Sequence, residues 1–338
     1  MNVRGKDIKV FAGNSNPKLA VGIAKQLGVP LGKCTVKTFA DGEISVSIEE
    51  SVRGMDCFIV QSTCAPVNNN LMELLIMADA LRRASATRVT AVIPYYGYAR
   101  QDRKAHSRDP ISAKLVADMI TAAGIDRVLT MDLHAQQIQG FFNIPVDHLV
   151  GSPLLANYFF RKILRHDCDY VCLSPDIGSV SRVRDFAHKM DDTPIAIVDK
   201  RRQKANQCEV MNLIGDVKGK KVLLIDDMID TAGTLSNAAQ TANDNGAISV
   251  CAAATHAVLS DPALERLSAS PIKEIILLDT ISLPPEKKLP NFKVLSTAEY
   301  FAKAIRCVHN DEPMSPMIDA MFDAAQAKLA EKRSSPIN

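Results

Sequence analysis

The sequence predicts an α/β protein of two domains, each a mainly parallel sheet flanked by helices. Three observations predict it. Short apolar runs alternate with segments of helical period along most of the chain, the signature of repeated β-α units. The length, 338 residues, is more than one hydrophobic core ordinarily serves. Polar and charged residues gather directly after several apolar runs, where strands of an open parallel sheet meet their ligands.

The elements follow in order. Ile8–Ala12 reads as a strand. Ser15-Asn-Pro17 then offers a cap and a proline suited to a first helical turn. Leu19, Ile23 and Leu27 recur at i, i+4 spacing, and Gly28 ends that helix. Ile44-Ser-Val-Ser-Ile48 alternates as a half-buried strand does. Further strands are expected at Cys57–Gln61, Val89–Pro94, Val128–Met131, Tyr170–Leu173, Ile195–Val198, Val222–Ile225, Val250–Ala254 and Ile275–Leu278. Helical patterns lie between them at Leu71–Ala84, Ser112–Ala123 and Pro153–Leu164. The domain division is expected near Pro145–Gly151, giving domains at 1–147 and 148–296 and a helical tail at 297–338.

Composition narrows the function classes. A net charge of +2 gives no reason to expect nucleic acid or a membrane surface as a partner. No signal-like segment opens the chain and no apolar run is long enough to span a bilayer. The 8 cysteines form neither a CxxC pair nor a zinc spacing, and Cys57, Cys172 and Cys251 sit in strand-like runs. This reads as a reduced, cytoplasmic protein.

The most informative stretch is Lys221–Thr234. Its apolar run, Val222–Ile225, breaks into the paired acids Asp226 and Asp227. Asp230-Thr-Ala-Gly-Thr234 then leads into the helical pattern from Leu235. Strand, small-residue loop and helix N-terminus form a phosphate cradle, because backbone N–H groups and the positive helix end face the anion. Thr231 and Thr234 add hydroxyl donors. Two acids beside that cradle repel a triphosphate but suit the vicinal hydroxyls of a ribose phosphate. The bland alternative is that the pair ends a strand and Asp230 caps a helix; two acids and this loop at one strand end weigh against it.

Other strand ends add to the pattern. Asp132 and His134 follow Val128–Met131, Ser174-Pro-Asp176 follows Tyr170–Leu173, and Asp199, Lys200, Arg201 and Arg202 follow Ile195–Val198. Each has a structural reading: a satisfied histidine, a helix-capping Asp176, a solvated basic run. Together they suit Mg²⁺ held by oxygen ligands and waters, with a cation beside a transferring phosphoryl group.

Six segments in one order carry a resemblance. They are Phe39–Glu43, Val92–Lys104, Asp132–Phe142, Ser174–Asp176, Val198–Arg202 and Asp226–Thr234. From about Asp7 to about Ile305 the chain resembles the ribose-phosphate pyrophosphokinases (PRPP synthetases) of the phosphate-activated class. The resemblance implies two tandem phosphoribosyltransferase-like domains. It implies that Asp226, Asp227, Asp230, Thr231, Ala232, Gly233, Thr234 and Arg202 bind ribose 5-phosphate. Phe39, Asp41, Gly42 and Glu43, supplied from a neighbouring subunit, would bind ATP with Arg100 and Gln101. His134 and Asp176 would serve Mg²⁺. Lys200 and Arg202 would be catalytic, and the enzyme would be a dimer-based hexamer.

ATP has no Walker A loop to hold it, since Gly215-Asp-Val-Lys-Gly-Lys220 is short and lacks the Ser or Thr. The polar, basic segment 95–110 is the expected mobile lid. A nucleobase phosphoribosyltransferase would share the Asp226–Thr234 loop but leave Phe39–Glu43 and Arg100–Lys104 unexplained. A silent regulatory paralogue would have lost site residues that stand here. Two departures from the family pattern are visible. Gly178 is followed by Ser179 where a second glycine is common, and the segment after Ile305 lacks the usual Ser-rich regulatory ending. Ser51 and Arg53 match positions that bind phosphate or ADP in relatives.

Overall fold

The structure, a computed structural model, describes residues 5–163, 169–201 and 210–321. The chain forms two compact units. One runs to Val150 and takes in Thr280–Ser282 and Ser296–Met317; the other holds Gly151–Asp279, Leu283–Leu295 and the described residues from Ile318 on.

In the first unit, β1 (Ile8–Ala12) leads into α1 (Pro17–Leu27). The Asn16 side chain accepts the Leu19 N–H at 3.3 Å, Pro17 takes the first helical position, and Gly28 at φ 76° closes the helix. An antiparallel hairpin follows, β2 (Cys34–Thr38) against β3 (Ile44–Ile48). After it come β4 (Asp56–Val60), α2 (Val67–Arg83), β5 (Arg88–Ile93), α3 (Ser112–Ala122), β6 (Arg127–Met131) and β7 (Val146–Leu149). The five-stranded sheet has the order β1-β4-β5-β6-β7 and every pairing is parallel. β4 and β5 are buried along their whole length, as central strands of a parallel sheet must be.

The second unit opens with α4 (Ser152–Ile163), β8 (Tyr170–Ser174), α5 (Val180–Lys189), β9 (Ile195–Arg201) and β10 (Val210–Ile214). It continues with β11 (Lys221–Ile229), α6 (Gly233–Asp244), β12 (Ser249–Ala257), α7 (Ala263–Ala269), β13 (Ile272–Leu278) and β14 (Phe292–Leu295). The sheet order is β10-β9-β8-β11-β12-β13-β14, parallel except that β10 runs antiparallel to β9. Apolar residues of β11, β12 and β13, such as Leu224, Ala252 and Ile275, pack with Leu235 and Ala238 of α6 in one core.

Helix α8 (Ala298–Asn310) belongs to the first unit and lies along α1. Gly22 permits the approach: a Cβ there would fall 2.9 Å from the Ala298 Cβ. α8 buries Tyr300, Phe301, Ala304, Ile305 and Val308.

Among the described residues the expected strands and helices are present within a few residues; the expected helical tail beyond residue 321 lies outside the described residues. Three details depart from the apolar pattern. β9 continues through Asp199 to Arg201, and β11 through Asp226 and Asp227 to Ile229, so these polar residues stand within strands rather than after them. β2, β7, β10 and β14 lie outside the expected set. β7 reads Val-Asp-His-Leu, and β2 and β14 are half-exposed, so none presents a continuous apolar run.

Candidate active site

The strand order of the second unit reverses between β8 and β11, because the chain adds β9 and β10 on one side and β12 to β14 on the other. Such a reversal opens a crevice at the carboxyl ends of the strands. β11 pairs with β8 as far as Leu224↔Leu173 and continues against β12, with Asp226 opposite Ala254 and Ile229 opposite Ala257. The acidic pair therefore stands where β8 has ended.

The turn after β8 is closed by its own side chains. The Ser174 hydroxyl donates to the Asp176 carbonyl at 2.7 Å, and Asp176 Oδ1 accepts the Ser179 N–H at 2.9 Å. Asp176 thus closes the turn that precedes α5, whose N-cap residue is Ser179. This turn aims the first residues of α5 at the acids. The Ser179 hydroxyl donates to Asp226 Oδ1 at 3.2 Å. Arg182 Nη1 lies 3.5 Å from Asp226 Oδ1 and 3.3 Å from Asp227 Oδ1. The Asp227 N–H closes the arrangement on Asp226 Oδ1 at 2.9 Å. Burial, then the adjacent Asp227, push Asp226 up to about 8, and the Arg182 guanidinium opposes the rise.

Beyond Ile229 the chain turns through Thr231 and Ala232 into α6. Ala232 is the N-cap residue, at φ 59° in the left-handed region, with no side-chain acceptor of its own. The turn is braced from outside. Arg266 of α7 donates from Nη1 to the Thr231 carbonyl at 3.0 Å, and a Cβ on Gly233 would meet the same nitrogen at 3.2 Å. Gly233 and Thr234 form the start of α6, so backbone donors and a threonine hydroxyl sit beside the acids as a phosphate cradle requires.

The other expected residues are distributed as follows. Phe39, Asp41, Gly42 and Glu43 form the tip of the β2–β3 hairpin and are exposed, Phe39 to 57%. The tip is closed by the Phe39 N–H on the Glu43 carbonyl at 2.7 Å and the Glu43 N–H on Asp41 Oδ1 at 3.1 Å, with Gly42 at φ 95°. Arg100 and Gln101 are exposed. They follow Tyr95, Tyr96 and Gly97, which are buried, and the Gln101 carbonyl accepts the Ala113 N–H at the start of α3 at 3.2 Å. The longest unbroken exposed stretch of the 95–110 segment is Arg103–Arg108. His134 is exposed in the turn after β6, two residues beyond Asp132, whose φ is 40°. Lys200 lies in β9 opposite Met211 of β10. Arg202 lies outside the described residues.

His134 and Asp176 belong to different units. Among the described residues no three His, Cys, Asp or Glu side chains are grouped to hold a metal ion. Mg²⁺ retains waters and takes one or two protein groups beside substrate phosphates, so a single carboxylate or a single imidazole suits an ion that arrives with a nucleotide. The six described cysteines are free, and burial pushes Cys57 and Cys172 up to about 12 and Cys64 to about 11. Thiols so held are poor nucleophiles. No helix of the described residues is long and apolar enough to cross a membrane.

Residues 8–124 match the family model described as the N-terminal domain of ribose phosphate pyrophosphokinase, and residues 180–319 match the phosphoribosyl synthetase-associated domain. Over 315 residues, 93% of this chain and 98% of the relative, the sequence is 64% identical to the ribose-phosphate pyrophosphokinase of Clostridium perfringens. The chain belongs to the ribose-phosphate pyrophosphokinase family. A second relative bearing that name, from Caldanaerobacter subterraneus, is 64% identical over 92% of this chain and 97% of its own. The fold agrees with the crystal structure of phosphoribosylpyrophosphate synthetase from Mycobacterium smegmatis, with a TM-score of 0.86 and 45% identity. That match covers 90% of this chain and all of that one.

Three residues at the candidate site were not among those expected from sequence. Arg182 and Ser179 face the acids from α5, and Arg266 faces the loop from α7. The Ser179 substitution was visible as a departure. The two arginines carried no local signal, since each meets its partner only through the fold.

Proposed function

We propose that the chain makes PRPP and AMP from ATP and ribose 5-phosphate, as a ribose-phosphate diphosphokinase of nucleotide biosynthesis. The observation that carries the proposal is the acidic pair beside a small-residue turn and helix N-terminus, all at the switch point of a parallel sheet. Asp226 and Asp227 accept the ribose hydroxyls. Asp230–Thr234 cradle the 5-phosphate with backbone N–H groups and threonine hydroxyls. The anomeric hydroxyl oxygen then attacks the β-phosphorus of ATP. An O–P bond forms, the bond from the β-phosphorus to the bridging α,β oxygen breaks with its electron pair leaving on AMP, and the hydroxyl proton goes to solvent.

Lys200 and Arg202 stabilise the charge gathering on the transferred diphosphoryl group, the part preorganised cations play in such reactions. Arg100 and Gln101 hold ATP, and the exposed stretch Arg103–Arg108 closes over it. His134 and Asp176 would each contribute to Mg²⁺ binding, and the ion would supply further charge neutralisation. An exposed phenylalanine at the β2–β3 tip suits a site completed by a second copy, where Phe39, Asp41, Gly42 and Glu43 face the adenosine of the neighbour's ATP. This reading takes the active form as a dimer-based hexamer, of the phosphate-activated class, working in the cytoplasm. The test is an assay of ATP, Mg²⁺, ribose 5-phosphate and inorganic phosphate that follows both products. AMP and PRPP in equal amounts support the reading; ADP in place of AMP refutes it.

A further inference from the structure

Asp226 Oδ1 receives three donors: the Ser179 hydroxyl at 3.2 Å, the Asp227 N–H at 2.9 Å and, more distantly, Arg182 Nη1 at 3.5 Å. Two of the three come from the first turn of α5, one turn apart on the same helix face. The same helix entrance is fixed by Asp176 through its bond to the Ser179 N–H. A carboxylate held by several donors has one orientation, and an arginine between two carboxylates keeps them from rotating apart under their mutual repulsion. Ser179 is 7% exposed, so its hydroxyl is shielded and directed inward. Neither residue lies in the acidic loop.

We propose that Ser179 and Arg182 are positioning residues for ribose 5-phosphate, setting the orientation of the Asp226–Asp227 carboxylates that receive its hydroxyls. The inference rests on the reading of those acids as the ribose site. A glycine at position 179 would keep the backbone N–H on Asp176 but have no hydroxyl for Asp226. Serine adds a donor to the acid that glycine cannot supply, and alanine removes only that donor.

The experiment compares Ser179→Ala, Ser179→Gly, Arg182→Met, Arg182→Lys and Asp227→Asn in the full-length enzyme. It measures KM for ribose 5-phosphate, KM for ATP, kcat and thermal midpoint. Loss of the hydroxyl should raise KM for ribose 5-phosphate roughly 3–10-fold, the effect of one hydrogen bond, and loss of the guanidinium by roughly 10–100-fold. KM for ATP should stay within about twofold, and Arg182→Lys should recover part of the loss because it returns a cation without the fork. Ser179→Gly should match Ser179→Ala in KM. If Ser179→Ala and Arg182→Met leave KM for ribose 5-phosphate unchanged while Asp227→Asn raises it, the positioning role is wrong and the ribose site stands. If Asp227→Asn has no effect either, the ribose site itself is wrong. A lowered thermal midpoint with all Michaelis constants intact assigns the contacts to folding and overturns the proposal.

Discussion

Arg266 Nη1 lies 3.0 Å from the carbonyl oxygen of Thr231, so a helix outside the phosphate turn holds the turn at its middle. The next residue, Ala232, stands at φ 59°, a left-handed conformation that costs a non-glycine residue roughly 1–2 kcal/mol. The arginine helps to keep the backbone there. Arg266→Ala should raise KM for ribose 5-phosphate several-fold, about what an ordinary hydrogen bond contributes, because it acts on the substrate only through the turn. Ala232→Gly, which removes the left-handed penalty, should change folding stability by no more than about 1 kcal/mol. Steady-state kinetics and urea unfolding of both variants check this. Unchanged kinetics in Arg266→Ala would show that the turn holds itself.

Lys200 lies in β9 with its backbone paired to Met211, so its strand position does not depend on its side chain. Lys200→Ala should lower kcat roughly 10²–10³-fold, as loss of a preorganised charge-stabilising group does. The urea midpoint should not move. Near-normal turnover would remove Lys200 from the reaction.

The acidic pair also predicts how stability varies with pH. Asp226 is raised to about 8 in the folded chain by burial and by Asp227, whereas an unfolded aspartate titrates near about 4. Between those values the folded state keeps a proton that the unfolded state has released. Stability is therefore greater at the acid end of the window, falls as pH rises through it, and levels off above about 8. Asp226→Asn removes the effect. The wild-type minus variant difference in unfolding free energy should be more favourable to wild type at about pH 5 than at about pH 8. A difference that does not change with pH contradicts the shift.

In the first unit, Asp56 and Arg88 form a buried pair, 2.9 Å from Nε to Oδ1 and 2.5 Å from Nη2 to Oδ2. The pair ties α8 down: Arg88 Nη2 donates to the Val308 carbonyl at 2.9 Å, and His309 Nδ1 lies 2.9 Å from Asp56 Oδ2. Asp56→Ala leaves a buried guanidinium without its carboxylate and should cost about 3–5 kcal/mol. Replacing both partners by Leu and Met should cost less than the single change, because no uncompensated charge remains. Equilibrium denaturation of the two variants tests this ordering.

The exposed stretch Arg103–Arg108 predicts a nucleotide-dependent protease response. Trypsin should cut there readily in the free protein and more slowly with ATP and Mg²⁺ present. Cleavage at the same rate in both states would count against a closing lid.

Much of this arrangement was legible in the sequence because its chemistry is local. Asp226, Asp227 and the turn to Thr234 are consecutive, so strand, acids and helix start could be read in one pass. The apolar runs of β4, β5 and β11 likewise announced themselves, since strands covered on both faces need unbroken hydrophobic residues. What escaped was set by the fold. β2 is half-exposed and polar, so the hairpin that presents Phe39 was recognised only from its second strand. Ser179 reaches Asp226 across 47 residues, and Arg266 reaches Thr231 across 35, distances over which a single sequence carries no pairing signal. β9 and β11 ran further than their apolar stretches because neighbouring strands continued the hydrogen-bond ladder.

The most direct measurement uses ATP carrying a radiolabel at its β-phosphorus, with ribose 5-phosphate, Mg²⁺ and the purified enzyme. Attack at that phosphorus sends the label into PRPP and leaves the AMP unlabelled, in equal molar amounts. Label retained in ADP, with only the γ-phosphoryl group transferred, would contradict diphosphoryl transfer at this site.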